Sequence, residues 1–143
     1  MISTYPACFF KEEEGYSVVF PDLDFLATCG DTFNDAFSMA TECLAGYLYR
    51  LQIEGDVAPE PSMPEQINIE GLKKELEIDT ENYFVNMVGV DVSEYARVHF
   101  EKSVKKTLTI PAWLNSAAIE KNINFSQVLQ EALKQKLFPN GVK

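Results

Sequence analysis

The sequence is poor in side chains that bind transition metals, with one histidine and three cysteines among 143 residues. A zinc or nickel site needs several imidazole or thiolate ligands, and His99, Cys8, Cys29 and Cys43 have no metal or redox spacing. The same shortage excludes a nucleophilic triad built on histidine, and the scattered glycines form no phosphate-binding loop. We therefore expect no metal and no cofactor, a partly exposed His99, and cysteines buried as thiols in a reducing compartment.

Long apolar segments are also missing. No run of about 18 uncharged apolar residues could form a membrane span, and the N-terminal "MISTYPACFFKEEEG" lacks the basic and apolar regions of a secretory signal. The sequence therefore predicts a cytoplasmic protein with no membrane segment. Its hydrophobic content of 46%, with ten Phe and six Tyr, is sufficient for a folded core.

Basic side chains are scarce and unevenly placed. Residues 1–92 carry 18 Asp and Glu but four Lys and Arg, a balance of −14, whereas residues 93–143 carry eight basic and four acidic side chains, a balance of +4. Surfaces of opposite charge attract different partners. We therefore divide the chain into an acidic domain at 1–92, a connector at 93–103 and a basic domain at 104–143.

The acidic half shows the pattern of a small α+β domain. The runs "YPACFF" and "YSVVFP", separated by the turn "KEEEG", predict a β-hairpin, and "DFLATCG" predicts a third strand. The apolar spacing after Asp31 and Thr32, either of which can cap a helix, predicts a long helix that ends at Gly55. A proline-rich connector at 56–66, a short helical segment and a buried strand at 83–92 complete a β-β-β-α-β order.

The basic half begins with "SVKKTLTIP", a short strand that stops at Pro111. In extended chain its alternate side chains form a largely apolar face and a polar face. These faces hold Lys106, Leu108 and Ile110 on one side and Lys105, Thr107 and Thr109 on the other. Two amphipathic segments follow, "AWLNSAAIEKN" and "SQVLQEALKQKLF", and they predict two helices joined by a turn.

A strand and two helices of this size cannot bury their own apolar faces. A second copy solves the problem, because two strands can pair antiparallel beneath four helices, and we therefore expect a homodimer through this domain. Such a ribbon fits the major groove of DNA, where Lys105, Thr107 and Thr109 would contact bases or phosphates. The helix start at Asn124, Phe125 and Ser126 is expected to contact a phosphate.

Residues 104–138 resemble a ribbon-helix-helix DNA-binding domain. "TLTIPAWL" is similar to that family's strand and proline signature, and "NINFSQVLQEAL" to its turn and second helix. The resemblance places the base-reading positions on Lys105, Thr107 and Thr109. Many members have an arginine there, which this chain lacks.

Residues 5–53 resemble the N-terminal domain of HicB-family antitoxins. Four features follow in the family order: a strand that begins with Tyr-Pro, a Gly-Tyr pair before the second strand, Phe-Pro-Asp after that strand, and Gly-Asp-Thr at the start of a helix. "PEPS" and "VDVSEYARV" are similar to the family's later segments. The resemblance implies a type II antitoxin with a partial ribonuclease-H-like fold. Such an antitoxin neutralises a small basic HicA toxin that cleaves mRNA, and it represses its own operon through the ribbon-helix-helix domain. Our candidate toxin contacts are Glu12, Glu13, Glu14, Asp22, Asp24 and Asp31.

Two other functions compete with this interpretation. A ribonuclease-H-type enzyme needs carboxylates that converge on metal ions, for which Asp22, Asp24, Asp31 and Asp35 supply the residue type, but acids at strand ends and helix starts commonly serve as caps. We therefore expect no enzyme. A ribbon-helix-helix repressor whose acidic domain binds another protein or a small ligand is the main alternative. The sequence leaves open the operator, the toxin stoichiometry and whether two dimers form a tetramer.

Overall fold

The computed structural model describes residues 1–141 of the chain. These residues form two units, one containing 1–52 and 56–102 and the other containing 53–55 and the chain from residue 103 onward. The first unit has a four-stranded antiparallel sheet in the order β3-β2-β1-β4. Its elements are β1 (Ile2–Lys11), β2 (Tyr16–Phe20), β3 (Leu26–Gly30), α1 (Phe33–Glu54), α2 (Ile69–Glu75), β4 (Tyr83–Asp91) and α3 (Val92–His99). The last two residues of α1 are assigned to the other unit.

The predicted hairpin and third strand are confirmed. Strands β1 and β2 pair antiparallel from Cys8 opposite Val19 to Lys11 opposite Tyr16, and β3 pairs with β2. Gly15 closes the turn with a φ of +83°, and a Cβ there would lie 2.4 Å from the Gly30 carbonyl oxygen. A side chain at this position would therefore push the turn away from the end of β3.

Helix α1 begins and ends where the sequence predicts. The Thr32 hydroxyl oxygen accepts a hydrogen bond from the Asp35 backbone N–H at 3.1 Å, so Thr32 is the capping residue. Gly55, with a φ of +74°, follows the last helical residue as a left-handed terminator. The buried face of the helix packs against one side of the sheet through Ala36, Ala40, Leu44, Ala45, Leu48 and Leu51.

The opposite side of the sheet is covered by α2, the short helical segment that the sequence predicts after the prolines. Leu72 of α2 is buried with Cys8, Phe10 and Val19 in a second apolar cluster. Because side chains alternate along a strand, β1 contributes to both clusters and is buried on both faces from Tyr5 to Phe10. The unit therefore has three layers, with α1, the sheet and α2 in that order.

The strand at 83–92 requires a correction, because the sequence suggested a buried strand. Strand β4 is the outer neighbour of β1, so only part of its length is covered. Val88 and Val90 are buried, but the Phe84 side chain is 38% exposed. A continuous apolar run does not distinguish a central strand from an edge strand.

The proposed connector at 93–103 also requires a correction. Helix α3 occupies most of it and begins at Asp91, whose Oδ1 accepts from the Glu94 N–H at 3.1 Å. Ala96 is buried, and the contacts assign residues up to 102 to the first unit. The carboxylate cap starts a helix directly after β4, where the sequence analysis had placed only a connector.

The proline-rich connector is attached to the first unit at two places. The Tyr5 hydroxyl donates to the Pro59 carbonyl at 2.6 Å. Asp22 accepts two hydrogen bonds from Ser62, one from the backbone N–H at 2.7 Å and one from the hydroxyl at 2.8 Å. Residues 56–63 are irregular and Pro64–Gln66 form a 3-10 turn, as expected for a segment with three prolines.

The second unit contains the two predicted helices, α4 (Ala112–Glu120) and α5 (Phe125–Leu137). Asn124 caps α5, because its side-chain oxygen accepts from the Gln127 N–H at 3.1 Å. Residues 103–110 form no hydrogen-bonded strand in the single chain, unlike the strand that the sequence predicts. Within 103–141 every residue is exposed except Ala118, Leu129 and Phe138, which are half-buried.

Candidate binding surfaces

The six acidic candidates for toxin contact lie at two ends of the sheet. Glu12, Glu13 and Glu14 occupy the turn between β1 and β2, and Asp31 follows β3 at the same end because Tyr16 pairs with Gly30. Asp22 and Asp24 lie in the loop between β2 and β3, at the opposite end of β2. Five extended residues span about 17 Å. The six carboxylates therefore do not form one cluster.

The first end, which we call the hairpin end, consists of residues 12–16, 30–35 and 83–84. A Cβ on Gly15 would be 3.2 Å from the Asp31 Cα, so the acidic turn contacts the segment that leads into α1. Glu13, Glu14, Asp31 and Asp35 are all exposed there. The Glu12 carboxylate accepts from the Ser17 hydroxyl at 2.7 Å. The hairpin end therefore presents a concentration of negative charge.

An aromatic cluster lies at this same end, and the sequence analysis did not identify it. Its members are Phe9, Tyr16, Phe33, Phe37 and Phe84. The Phe9 and Phe84 rings stack with centroids 5.2 Å apart. The Phe33 ring lies 5.5–6.1 Å from the rings of the other four. Phe9 is fully buried, yet Phe33 is 37% exposed and Phe84 38% exposed.

A cation already contacts this aromatic cluster. The Lys11 ammonium is 4.5 Å from the Tyr16 ring centroid, within the range of a cation–π interaction. The Phe33–Phe37 spacing was visible in the sequence as part of a helix face. The sequence did not indicate the strand register that places Phe84 of β4 opposite Phe9 of β1.

The second end, which we call the loop end, consists of residues 21–25. Asp22 uses both carboxylate oxygens to bind Ser62. The Asp24 carboxylate accepts from the Tyr47 hydroxyl at 2.9 Å, and burial together with this hydrogen bond raises the pKa of Tyr47. Both carboxylates therefore hold the loop in place.

The loop end has an unusual backbone. Asp24 and Phe25 have φ values of +55° and +56°, a left-handed conformation that L-residues seldom adopt. The side chain of Phe25 is 39% exposed. A glycine would adopt this conformation without strain.

The four carboxylates considered for metal-dependent hydrolysis are divided between the two ends of the sheet. Asp31 and Asp35 are at the hairpin end, whereas Asp22 and Asp24 are at the loop end. Within residues 1–141 no group of three or more His, Cys, Asp or Glu side chains could hold a metal ion. The His99 ring stacks on Tyr95 at 4.1 Å between centroids.

The cysteines differ from the expectation of three buried thiols. Cys8 is buried, and burial followed by the charge of Asp22 raises its pKa to about 11. Cys43 is half-buried, and burial is also the main cause of its raised pKa. Cys29 is exposed because it lies on β3, the outer strand of the sheet. The expectation was therefore wrong for Cys29.

In the second unit, the segment before Pro111 separates its side chains as the alternation predicts. Lys106, Leu108 and Ile110 line a groove of about 480 Å³ together with residues of α4 and α5. Lys105, Thr107 and Thr109 lie outside this groove and are exposed. The other residues that line it are Asn115, Phe125, Ser126, Val128, Leu129 and Ala132.

The groove is apolar and uncovered in the single chain. Leu108 is 62% exposed, Ile110 41%, Phe125 45% and Val128 51%. Contiguous exposed apolar surface of this kind is unusual in a monomer and marks an interaction site. Two of the predicted phosphate contacts, Phe125 and Ser126, line this groove, and the Asn124 side chain is engaged as the cap of α5.

None of the helices in the part of the chain that the structure describes is both long and apolar enough to cross a membrane.

Comparison with known proteins places this arrangement among bacterial antitoxins. A toxin–antitoxin complex from Streptococcus pneumoniae contains a chain with 34% identity and a TM-score of 0.64, and the match covers 95% of this chain and 99% of that one. The crystal structure of antitoxin HicB3 matches with 30% identity and a TM-score of 0.50 over 94% of this chain and 97% of its own. An uncharacterized 14.9 kDa protein of Haemophilus phage HP1 is 29% identical over 110 residues, which are 77% of this chain and 74% of that protein.

These matches define the class of protein as the antitoxin of a toxin–antitoxin system. The model of the HicB-like antitoxins of bacterial toxin–antitoxin systems matches residues 5–133. The chain belongs to this HicB-like antitoxin family.

Proposed function

We propose that this chain neutralises a small basic HicA-type toxin through its acidic unit and represses its own operon through a ribbon-helix-helix dimer. The first unit acts as the partial ribonuclease-H-like domain, and residues from 103 onward act as the DNA-binding domain. Neither role requires catalysis by this chain. The site of action is the cytoplasm, where mRNA and operator DNA are both present.

Charge supports the toxin-binding role. The −14 balance of residues 1–92 suits a partner that itself binds RNA, because such a partner carries a positive surface. Carboxylates held against that surface occupy the positions of RNA phosphates. Glu12, Glu13, Glu14 and Asp31 are near one another at the hairpin end, and a role of Asp22 and Asp24 in toxin binding stays a prediction.

The uncovered groove of the second unit is the observation that carries the DNA-binding role. The unit has hardly any buried side chain of its own, and its 103–110 segment has no partner strand. A second copy would cover Leu108 and Ile110 and pair the two segments as a ribbon. This arrangement satisfies the backbone of 103–110 and buries the groove at the same time.

The polar side of the ribbon supplies the DNA contacts. Pairing would bring together two copies each of Lys105, Thr107 and Thr109, all of which lie outside the groove. The start of α5 at Asn124, Phe125 and Ser126 would contribute backbone N–H groups to a phosphate. Affinity for DNA should fall steeply with salt, because cationic contacts release counterions.

The toxin-binding role is tested by co-expression with the short basic protein encoded beside this chain. We expect the two proteins to co-purify, and we expect this chain to restore growth of cells that make the partner. A version with Lys105→Ala and Thr107→Ala should rescue growth equally well, because it changes only the DNA-binding side. Failure to co-purify and to rescue would leave a repressor with another partner or ligand.

The DNA-binding role is tested separately by titration against operator DNA and a random duplex at several salt concentrations. Thr107→Ala should weaken operator binding by about 1–3 kcal/mol with a smaller effect on the random duplex. Equal losses on both duplexes would contradict a base-reading role for Thr107.

A further inference from the structure

We propose that the aromatic cluster at the hairpin end is the surface that receives the toxin, with the exposed rings of Phe33 and Phe84 as its anchors. This inference rests on the proposed toxin-binding function. It assigns the centre of the interface to aromatic rings and places the carboxylates around them. None of these rings was among the candidate contacts identified from the sequence.

The position of the rings shows why they are exposed. Phe33 is the first residue of α1, so no earlier helical turn covers it, and Phe84 lies on the outer strand β4. Both rings are held from behind by Phe9, which is fully buried. Rings fixed in this way lose little conformational freedom on binding, and aromatic residues in this setting often dominate the energy of an interface.

The charges around the cluster indicate the chemistry of its partner. Asp31 and Asp35 stand two residues before and two residues after Phe33, and Glu13 and Glu14 lie in the adjoining turn; all four are exposed. A guanidinium or ammonium group is attracted both to an aromatic face and to a carboxylate. The Lys11–Tyr16 contact provides an example within the chain. The surface therefore fits a protein with exposed arginine and lysine side chains.

The loop end is the competing location. Its Phe25 ring is 39% exposed, about as much as Phe33 and Phe84, and it has two carboxylates. However, Asp22 already accepts two hydrogen bonds and Asp24 one from groups of this chain. A partner at that end would have to compete with these contacts, whereas Asp31 and Asp35 keep their carboxylates exposed at the hairpin end.

The test is calorimetric titration of the full chain with the toxin of its own operon. The toxin is used as a catalytically inactive variant. The double variant Phe33→Leu, Phe84→Leu keeps apolar volume but removes both anchor rings. We expect it to bind at least about 30-fold more weakly, the loss typical of interface hot spots. The matched control is Phe25→Leu at the loop end, for which we expect a change of no more than about twofold.

A second pair of variants tests the surface without altering any ring. Asp31→Lys with Asp35→Lys replaces two exposed charges, and we expect at least about tenfold weaker binding at low salt with a smaller effect at high salt. Its matched control is Glu65→Lys with Glu75→Lys, which makes the same change in net charge on exposed residues outside the hairpin end. If the leucine variant does not melt cooperatively, the charge pairs alone decide the outcome.

The possible results separate the two proposals. A natural chain that does not bind the toxin overturns the proposed function itself. Binding by the natural chain together with unchanged binding by both hairpin-end variants overturns only the placement of the surface. A larger loss for Phe25→Leu than for the leucine pair also overturns it, because the loop end would then be the contact.

Discussion

Replacement of Leu108 by alanine should weaken the proposed dimer strongly. Leu108 is 62% exposed in the single chain, and pairing would remove this surface from water. The substitution deletes three carbons worth about 0.8 kcal/mol each when buried. Scaled by the exposed fraction, the loss is about 1.5 kcal/mol per copy and about 3 kcal/mol per dimer, which corresponds to a dissociation constant raised by at least about 100-fold.

Sedimentation equilibrium over a range of chain concentrations measures this change directly. Thr109→Ala is the matched control, because Thr109 neighbours Leu108 in sequence but lies outside the groove. Its dimer should dissociate at nearly the same concentration as the natural one. An alanine variant at 108 that dimerises as tightly as the Thr109 control would refute the covering of the groove by a second copy.

Four further predictions concern the first unit. Asp22→Ala should lower the free energy of unfolding by about 2 kcal/mol in urea titrations, because a carboxylate that accepts two hydrogen bonds is lost; an unchanged midpoint would argue against a structural role. Glu77→Gly should raise the free energy of unfolding by about 1 kcal/mol, since Glu77 has a φ of +55° one residue beyond Leu76, the C-cap of α2. Glu75→Gly, at the last position of the helix, should instead lower it. Native Cys8, whose pKa is raised to about 11 by burial and then by Asp22, should resist iodoacetamide at pH 8 while exposed Cys29 reacts, as peptide mapping would show. Because the same thiol ionises nearer 9.0 when unfolded, stability should also decline as the pH rises above about 9.

Local patterns in the sequence were sufficient for most elements of the fold. The turn with Gly15, the cap at Asp31 or Thr32 and the terminator at Gly55 are each specified by a few neighbouring residues. The structure confirms the turn and the terminator, and it selects Thr32 as the cap. The two C-terminal helices also follow from their apolar spacing and their flanking Pro111 and Asn124. These features depend on backbone conformation and capping, which are local properties.

The features that the sequence did not predict depend on distant residues. Phe9 and Phe84 come together only because β1 pairs with β4 in one particular register, and no local pattern specifies that register. Helix α3 was missed because Asp91 ends a strand and caps a helix at once. The separation of Asp24 from Asp31, by contrast, is local, because the two residues flank β3 in the sequence.

The tethered connector determines how the chain can be shortened. A proline-rich segment in the middle of a chain invites truncation there, but Ser62 is bound to Asp22 and Pro59 to Tyr5. A fragment that stopped at residue 66 would retain these contacts but lose β4, and β1 would then have an unpaired edge along nine of its residues. Expression of the acidic half alone should therefore extend to residue 102, and a protease that separates the halves should cut just beyond it.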